Sequence, residues 1–309
     1  MSAGSLAGRV VIVTGGGKGL GRAFALDLAA RGARVVVNNR NRVVDDQGRG
    51  PADHVVAEIV AAGGEAVAEH GAVEDPETAE RIVRLALDTW GRLDGCVTSA
   101  GISPLALLHR SDPAHFEQVL AVNVLGTAYV AAACSRAMRE QGSGRILLVA
   151  SGAGLHGEVA AAAYAASKGA VIALARTMAI EGPRRGVLTN VLLPYATTQM
   201  TEQGMDRRYH DVMGPELVAP VASALLDPAG ELNGQVVIAA GGALRVADAV
   251  EWDTVPLPSG SDLTAGELAD LISRSRAGRP HTYPSAQDAF LDLAAESPVG
   301  ADYDVRTSS

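Results

Sequence analysis

A glycine-rich turn between a strand pattern and a helix pattern most constrains the fold. Arg9–Val13 is a β-branched run, the turn is Thr14-Gly15-Gly16-Gly17-Lys18-Gly19-Leu20-Gly21, and Arg22–Ala30 has helical periodicity. Glycine accepts positive φ and lets phosphates approach the backbone. The amides at the start of the following helix then face the anion. With a second strand predicted at Arg34–Asn39, this order is typical of a dinucleotide-binding unit and not of a flexible surface loop.

The remaining chain repeats this alternation up to residue 244. Strand and helix patterns recur at roughly 25–35 residue intervals, which predicts an α/β domain with a parallel sheet covered on both faces. Residues 245–309 break the pattern and are too few to hold a core of their own. They are expected to pack on the main domain or a partner subunit, or to stay partly disordered. The further predicted strands are Glu65–Glu69, Gly95–Ser99, Arg145–Ala150, Val187–Leu193 and Gln235–Ala239, and the further predicted helices are Pro51–Ala62, Pro76–Trp90, Pro113–Met138 (broken near Gly126), 158–181 and 215–226.

Composition excludes several classes of function. The 309 residues are 48% hydrophobic with a formal net charge of −9, which disfavours nucleic-acid and anionic-lipid partners. No apolar run approaches a membrane span of about 18 residues, and the first residues lack the pattern of a signal peptide. Two cysteines are too few for a disulfide framework, and the seven histidines show no metal-ligand spacing. A cytoplasmic protein with no metal, nucleic-acid or membrane partner is the expectation.

Tyr164 and Lys168 are the candidate catalytic pair. Residues four apart on a helix point from the same face, and an ammonium near a phenol is expected to lower the pKa of the phenol from its usual value near ~10. Such a pair alone is most often coincidence. Ser151 lies thirteen positions upstream of Tyr164, and Asn123 lies earlier still, both within the alternating strand and helix pattern. The presence of these two residues makes a catalytic role for the pair more significant.

The end of the second strand bears on the cofactor. NAD sites usually carry an acid there, which binds the ribose hydroxyls and repels a 2′-phosphate. Here the residues are Asn38, Asn39 and Arg40. Lys18 and Arg40 could together hold a 2′-phosphate, since the planar fork of arginine suits that anion. NADP(H) is therefore expected over NAD(H), although each cation alone could be an ordinary surface charge.

The glycine turn together with Asn123, Ser151, Tyr164 and Lys168 resembles the short-chain dehydrogenase/reductases over about residues 6–244. The resemblance implies a doubly wound seven-stranded Rossmann sheet in the order 3-2-1-4-5-6-7. It also implies a catalytic tetrad in which Tyr164 exchanges a proton with the carbonyl or carbinol oxygen and Ser151 orients that oxygen. Lys168 would lower the phenol pKa and bind the nicotinamide ribose, and Asn123 would hold a water in the proton relay. Within the family the chain is similar to the (3R)-hydroxyacyl-CoA dehydrogenase units, notably at Val35-Val36-Val37-Asn38 and Ala179-Ile180-Glu181-Gly182.

The resemblance also implies a set of cofactor contacts and shows departures from the pattern. Asn39 replaces an acid, Gly71 replaces an aspartate near the adenine, Ser99 replaces an asparagine, and Tyr195 replaces a glycine. The loop 199–215 contains methionines and Arg207-Arg208, which could meet a phosphate-bearing carrier arm or simply form a solvated lid. The implied cofactor contacts are Gly15, Gly17, Lys18, Gly19, Leu20, Gly21, Asn39, Arg40, Ala72, Val73, Ser99, Ala100, Gly101, Tyr164, Lys168, Pro194 and Thr198.

The sequence thus predicts an oxidoreductase that interconverts a ketone and a secondary alcohol with NADP(H), NAD being possible. The expected substrate is a β-keto or β-hydroxyacyl thioester, either free or carrier-bound, or a bulkier polyketide- or steroid-like carbonyl compound. A non-catalytic dinucleotide sensor or scaffold subunit is the alternative, suggested by Ser99, Gly71 and Tyr195. The family resemblance implies a homodimer or homotetramer, and the small residues of Ala160–Ala163 would permit close helix packing.

Overall fold

A computed structural model describes residues 6–40, 43–201, 208, 212–258 and 263–296. The chain divides into two compact units between Val246 and Ala247.

The first unit is built on an eight-stranded sheet in the order β3-β2-β1-β4-β5-β6-β7-β8. The first seven strands are parallel, as predicted, and their order confirms the Rossmann topology. Strands β1 and β4 are wholly buried, and most residues of β2, β5 and β6 are buried, because helices cover both faces of the sheet. These strands are therefore largely apolar. The strands are β1 (Val10–Thr14), β2 (Arg34–Asn38), β3 (Glu65–Glu69), β4 (Gly95–Thr98), β5 (Gly144–Val149), β6 (Val187–Tyr195), β7 (Val236–Ala240) and β8 (Ala243–Val246).

Strand β8 was not predicted, and it extends the first unit beyond residue 244. It runs antiparallel to β7, joined by the two-residue turn Gly241–Gly242. Both glycines have positive φ, 47° and 81°, as tight hairpin turns between twisted strands require. All four residues of β8 are exposed, so the sequence has no buried, alternating face there to signal a strand.

The helices cover the two faces of the sheet, and two of their predicted bounds were wrong. The predicted helix 158–181 begins only at Ala162, because the positive φ of 59° at Ala160 interrupts a helical backbone, and a separate short helix, Ala153–His156, precedes it. The helix from Pro113 is not broken at Gly126 but continues through a π-helical segment, Ala121–Gly126. The helices of this unit are α1 (Gly19–Ala30), α2 (Pro51–Ala61), α3 (Pro76–Trp90), α4 (Pro113–Leu120), α5 (Thr127–Gln141), α6 (Ala153–His156), α7 (Ala162–Glu181) and α8 (Ala219–Leu225).

Close packing explains Gly126. A Cβ atom there would lie 2.6 Å from Cγ2 of Val73, which follows β3. The glycine therefore permits a close approach and does not end the helix.

The continuous helical stretch Pro113–Gln141 is the one segment, among the residues described, that is long and apolar enough to cross a membrane. Half of its most apolar window is buried inside the protein. Val130, Ala131, Cys134 and Met138 of α5 are at most 1% exposed, so core packing accounts for its apolar character.

The second unit contains a short antiparallel pair, β9 (Glu251–Trp252) and β10 (Pro280–His281), and two helices, α9 (Ala265–Arg276) and α10 (Ala286–Glu296). A capping box between Thr264 and Glu267 begins α9. Leu271 is the one large apolar side chain in the described part of this unit that is buried.

Parallel strands place their carboxyl ends at one edge of the sheet. In doubly wound sheets ligands bind at this edge, where the strand order reverses. Here the reversal lies between β1 and β4, on the side of the glycine turn.

Candidate active site

The glycine turn is packed too tightly for other residues at two positions. Gly15 has a φ of 65°, and a Cβ atom there would lie 2.8 Å from both Cα and N of Ala100. A Cβ atom at Gly21 would overlap the carbonyl oxygen of Gly15. The turn therefore packs against the segment after β4 and exposes its backbone along the sheet edge.

The start of helix α1 fits a phosphate group. Lys18 is the N-cap residue and makes no side-chain capping bond, and the first turn holds no acidic residue. No acid of the first turn therefore competes for the N-terminal amides, which carry the positive end of the helix dipole. Thr198, after β6, lies against Gly19, whose Cβ position would be 3.4 Å from its side chain. Leu20 packs its side chain on the core, so only its backbone faces the turn.

The expected adenosine end contains an ion pair that the sequence did not indicate. Arg40 donates to Glu74 at 2.6 Å, and both side chains are about three-quarters buried. The Asn39 amide carbon would lie 2.9 Å from a Cβ atom at Gly17, which brings these two predicted contacts together. Lys18 is exposed nearby in the turn. Of the two predicted phosphate ligands, Arg40 is therefore already held by a carboxylate.

Gly71 is enclosed and leaves no room for a side chain. A Cβ atom there would overlap Oγ1 of Thr78, and the Gly71 carbonyl accepts from Nδ2 of Asn38 at 3.0 Å. Asn38 also donates to Glu69 at 2.6 Å. Ala72 and Val73 follow, and Val73 is buried against Gly126.

The floor of the site is the segment Ser99–Ala100–Gly101. The Ala100 amide donates to Oγ1 of Thr14 at 3.3 Å, which ties the segment to the end of β1. The Cβ position of Gly101 lies 3.3 Å from Oδ1 of Asn123 and 3.6 Å from Nζ of Lys168. Gly101 is thus the point where the floor meets two of the four predicted catalytic side chains.

Asn123 holds this floor in place. Its side chain accepts from the Ile102 amide at 2.8 Å and donates to the Ile102 carbonyl at 2.9 Å. It also donates to Oγ of Ser167 at 3.0 Å and is fully buried. A side chain with all these bonds fixes the segment after β4 against α7.

Lys168 and Tyr164 lie one helical turn apart on α7, at the end of β5. Lys168 is 5% exposed and donates to the Val149 carbonyl at 2.9 Å. Its Nζ lies 5.6 Å from the centre of the Tyr164 ring. Ser151 follows β5 directly and hydrogen-bonds the Tyr164 hydroxyl. The structure therefore brings three predicted catalytic residues to one place.

The predicted direction of the Tyr164 pKa shift is wrong for this structure. Burial raises the pKa of Tyr164, and the hydrogen bond from Ser151 only partly opposes this. Burial lowers the pKa of Lys168 to about 8, because the charged ammonium loses its hydration. The ammonium donates to the Val149 carbonyl, and burial of the phenol is the largest cause of the raised pKa of Tyr164.

Strand β6 ends beside the same residues. Pro194 and Tyr195 are its last two residues, paired with Ala239 and Ala240 of β7. A Cβ atom at Gly152, next to Ser151, would overlap the Tyr195 hydroxyl. In the loop beyond, Met200 is half-exposed, whereas Arg207, Met205, Tyr209 and His210 lie outside the described residues.

The arrangement fits a nicotinamide dinucleotide. The model for the short chain dehydrogenase family matches residues 9–209, well over half of the chain. The chain belongs to the short-chain dehydrogenase family. As a member it is an oxidoreductase that uses NAD(P), and its Rossmann sheet is the fold of the family.

Individual relatives extend the comparison. A solved short chain dehydrogenase from Mycobacterium avium is 35% identical with a TM-score of 0.78, covering 91% of this chain and 99% of that one. Peroxisomal multifunctional enzyme type 2 of Mus musculus is 39% identical over 229 residues, which are 74% of this chain and 31% of the mouse protein. The 3-oxoacyl-(acyl-carrier-protein) reductase of Synechocystis is 39% identical over 199 residues, 64% of this chain and 78% of that protein. This chain thus spans about a third of the length of the mouse enzyme.

Proposed function

We propose that this dehydrogenase interconverts a ketone and a secondary alcohol with NADP(H), Tyr164 exchanging the proton with the substrate oxygen. The observation that carries the proposal is the meeting of Tyr164, Ser151 and Lys168 at the ends of β5 and α7, beside the floor that Asn123 fixes. The dinucleotide supplies or accepts the hydride when bound. The glycine turn, the start of α1, Gly101 and Thr198 would hold it.

Each side chain has a role that follows from its surroundings. A raised pKa keeps the Tyr164 phenol protonated at neutral pH, ready to donate to a carbonyl oxygen. The Ser151 hydroxyl stabilises charge that develops on that oxygen. Lys168, anchored to the Val149 carbonyl, is placed to meet a ribose hydroxyl and to support the phenolate once it forms. Asn123 acts through the floor that it orders, in addition to any water that it holds.

The pKa of Tyr164 predicts different pH profiles for the two directions. Ketone reduction needs the protonated phenol, so its rate should stay level through neutral pH. Alcohol oxidation needs the phenolate, whose fraction rises about tenfold per pH unit below a pKa above 10. Initial rates in both directions between pH 6 and about 10 check this. An oxidation rate that is level across that range would contradict the assignment.

The substrate class is proposed to be a β-keto or β-hydroxyacyl thioester. The Synechocystis relative is named for a 3-oxoacyl group on a carrier protein, and its similarity covers 64% of this chain. A carrier arm would bring a phosphate to the loop after β6, part of which lies outside the described residues. Reduction of acetoacetyl thioesters, compared with bulky cyclic ketones, tests this choice.

Preference for NADP(H) rests on the missing acid at Asn39 and on Lys18 and Arg40. Glu74 opposes it, because its carboxylate occupies the Arg40 guanidinium. We therefore expect Glu74→Gln to raise kcat/KM for NADPH severalfold, since a partly exposed ion pair is worth up to about 1 kcal/mol. The value for NADH should change little.

The control for that variant is Glu80→Gln. This substitution removes the same charge from an ion pair between Glu80 of α3 and Arg136 of α5. Steady-state kinetics with both cofactors measure the effect. Better use of NADH than of NADPH by the unmodified protein would contradict the proposal. An equal gain in the two variants would show an effect of net charge only.

A further inference from the structure

Tyr195 places a second phenol beside the catalytic serine. A Cβ atom at Gly152 would overlap the Tyr195 hydroxyl and would lie 3.1 Å from Cζ of its ring. The end of the ring thus rests on the backbone of Gly152. Gly152 follows Ser151 directly, and consecutive Cα atoms are about 3.8 Å apart.

The backbone that carries this phenol is held in the sheet. Tyr195 is the last residue of β6 and pairs with Ala240 of β7. Pro194 before it has a restricted φ, which further limits the backbone. A side chain carried by a paired strand and resting on another backbone is held more precisely than one on a free loop.

The hydroxyl of Tyr195 is available to a ligand. Within the described part of the chain it makes no hydrogen bond, and the side chain is 46% exposed. The hydroxyl thus lies against the backbone next to Ser151, which orients the reacting oxygen in the proposed function, and has no partner among the described residues.

We infer that Tyr195 is a substrate-orienting residue whose hydroxyl donates a hydrogen bond to a second oxygen of the substrate. The inference rests on the proposed function, in which Tyr164 and Ser151 hold the reacting carbonyl. A β-ketoacyl thioester carries a further carbonyl oxygen two carbons away, and a simple ketone does not. The ligand class is therefore a β-oxygenated acyl compound, and Tyr195 selects it over ketones that lack the second oxygen.

The test uses Tyr195→Phe with a matched pair of substrates, an acetoacetyl thioester and a methyl ketone of equal length without the thioester carbonyl. We expect kcat/KM for the thioester to fall about tenfold, the effect of one hydrogen bond. The value for the methyl ketone should stay within about twofold, as the rest of the site is intact. No loss with the thioester, or an equal loss with both compounds, would overturn the inference.

A second variant tests the contact itself. The methyl group of Gly152→Ala would displace the hydroxyl, so this variant should show the same selective loss. In a Tyr195→Phe background the same substitution should add little, because the hydrogen bond is already absent. Additive losses from the two substitutions would contradict a shared cause.

Tyr164→Phe separates this inference from the proposed function. It should lower turnover of both substrates by about 10²-fold or more, whereas Tyr195→Phe should spare the methyl ketone. Binding of a β-hydroxyacyl thioester, measured by calorimetry, provides a readout that needs no turnover. Weaker binding in Tyr195→Phe than in the unmodified protein supports the inference even if turnover is absent, and equal binding overturns it.

Discussion

Replacement of Tyr164 by phenylalanine is expected to lower kcat by about 10²–10⁴-fold, the usual contribution of a general acid or base. The ring keeps its packing on α7, but the hydroxyl that Ser151 contacts is lost, and with it the proton for the substrate oxygen. Cofactor affinity should change by no more than about twofold. The measurement is steady-state turnover together with a fluorescence titration of the bound nucleotide.

The matched control is Tyr129→Phe, which removes a phenol from α5 that the proposed mechanism does not use. It should retain full activity. Full activity in Tyr164→Phe would contradict the assignment of Tyr164 as the proton donor. A different chemistry would then be required at this site.

Lys168→Met is expected to stabilise the protein while it removes most of the activity. Burial lowers the pKa of Lys168 from 10.5 to about 8, so the charged ammonium destabilises the folded state. At about 1.4 kcal/mol per pKa unit, the relief is up to about 3 kcal/mol. The unpaired Val149 carbonyl offsets about 1 kcal/mol of this. A gain in the free energy of unfolding of about 1–2 kcal/mol at pH 7 should remain.

The pH dependence of that gain follows from the sign of the shift. The pKa of Lys168 is lower in the folded state than in the unfolded state, so the destabilisation by the buried ammonium has its full size below about pH 8. It disappears as the pH rises towards 10.5, where the unfolded state also loses the proton. Denaturant unfolding of the cofactor-free protein at pH 7 and at pH 10 measures the difference.

Lys168→Arg serves as the control, because arginine keeps its charge at both pH values. It should bring no gain in stability at pH 7. A Lys168→Met protein that is less stable than the unmodified one at pH 7 would mean that the ammonium is better solvated than its burial indicates.

Much of the fold was predictable because local patterns and tertiary packing agree. The β-branched runs are buried strands, and Gly15 and Gly21 are required by contacts that other residues would block. The order of the parallel strands followed from the family resemblance and is confirmed. The exposed strand β8 has no burial pattern, and the positive φ of Ala160 has no glycine to signal it.

Long-range contacts explain what the sequence did not indicate at the site. Arg40 and Glu74 are 34 residues apart, so their ion pair appears only when β2 and β3 lie side by side. The raised pKa of Tyr164 depends on burial, which spacing along a helix does not give. Tyr195 was noted as a departure from the family, but its contact with Gly152 depends on the pairing of β5 and β6.

The most direct test of the central claim is a single-turnover experiment with NADPH bound to the protein. The complex is mixed with an acetoacetyl thioester, and the loss of nucleotide fluorescence is followed in the unmodified protein and in Tyr164→Phe. The account predicts stoichiometric NADPH oxidation in the unmodified protein and a rate lower by about 10²-fold or more in the variant. Tight NADPH binding without oxidation by this thioester or by any ketone of a broad panel would contradict it.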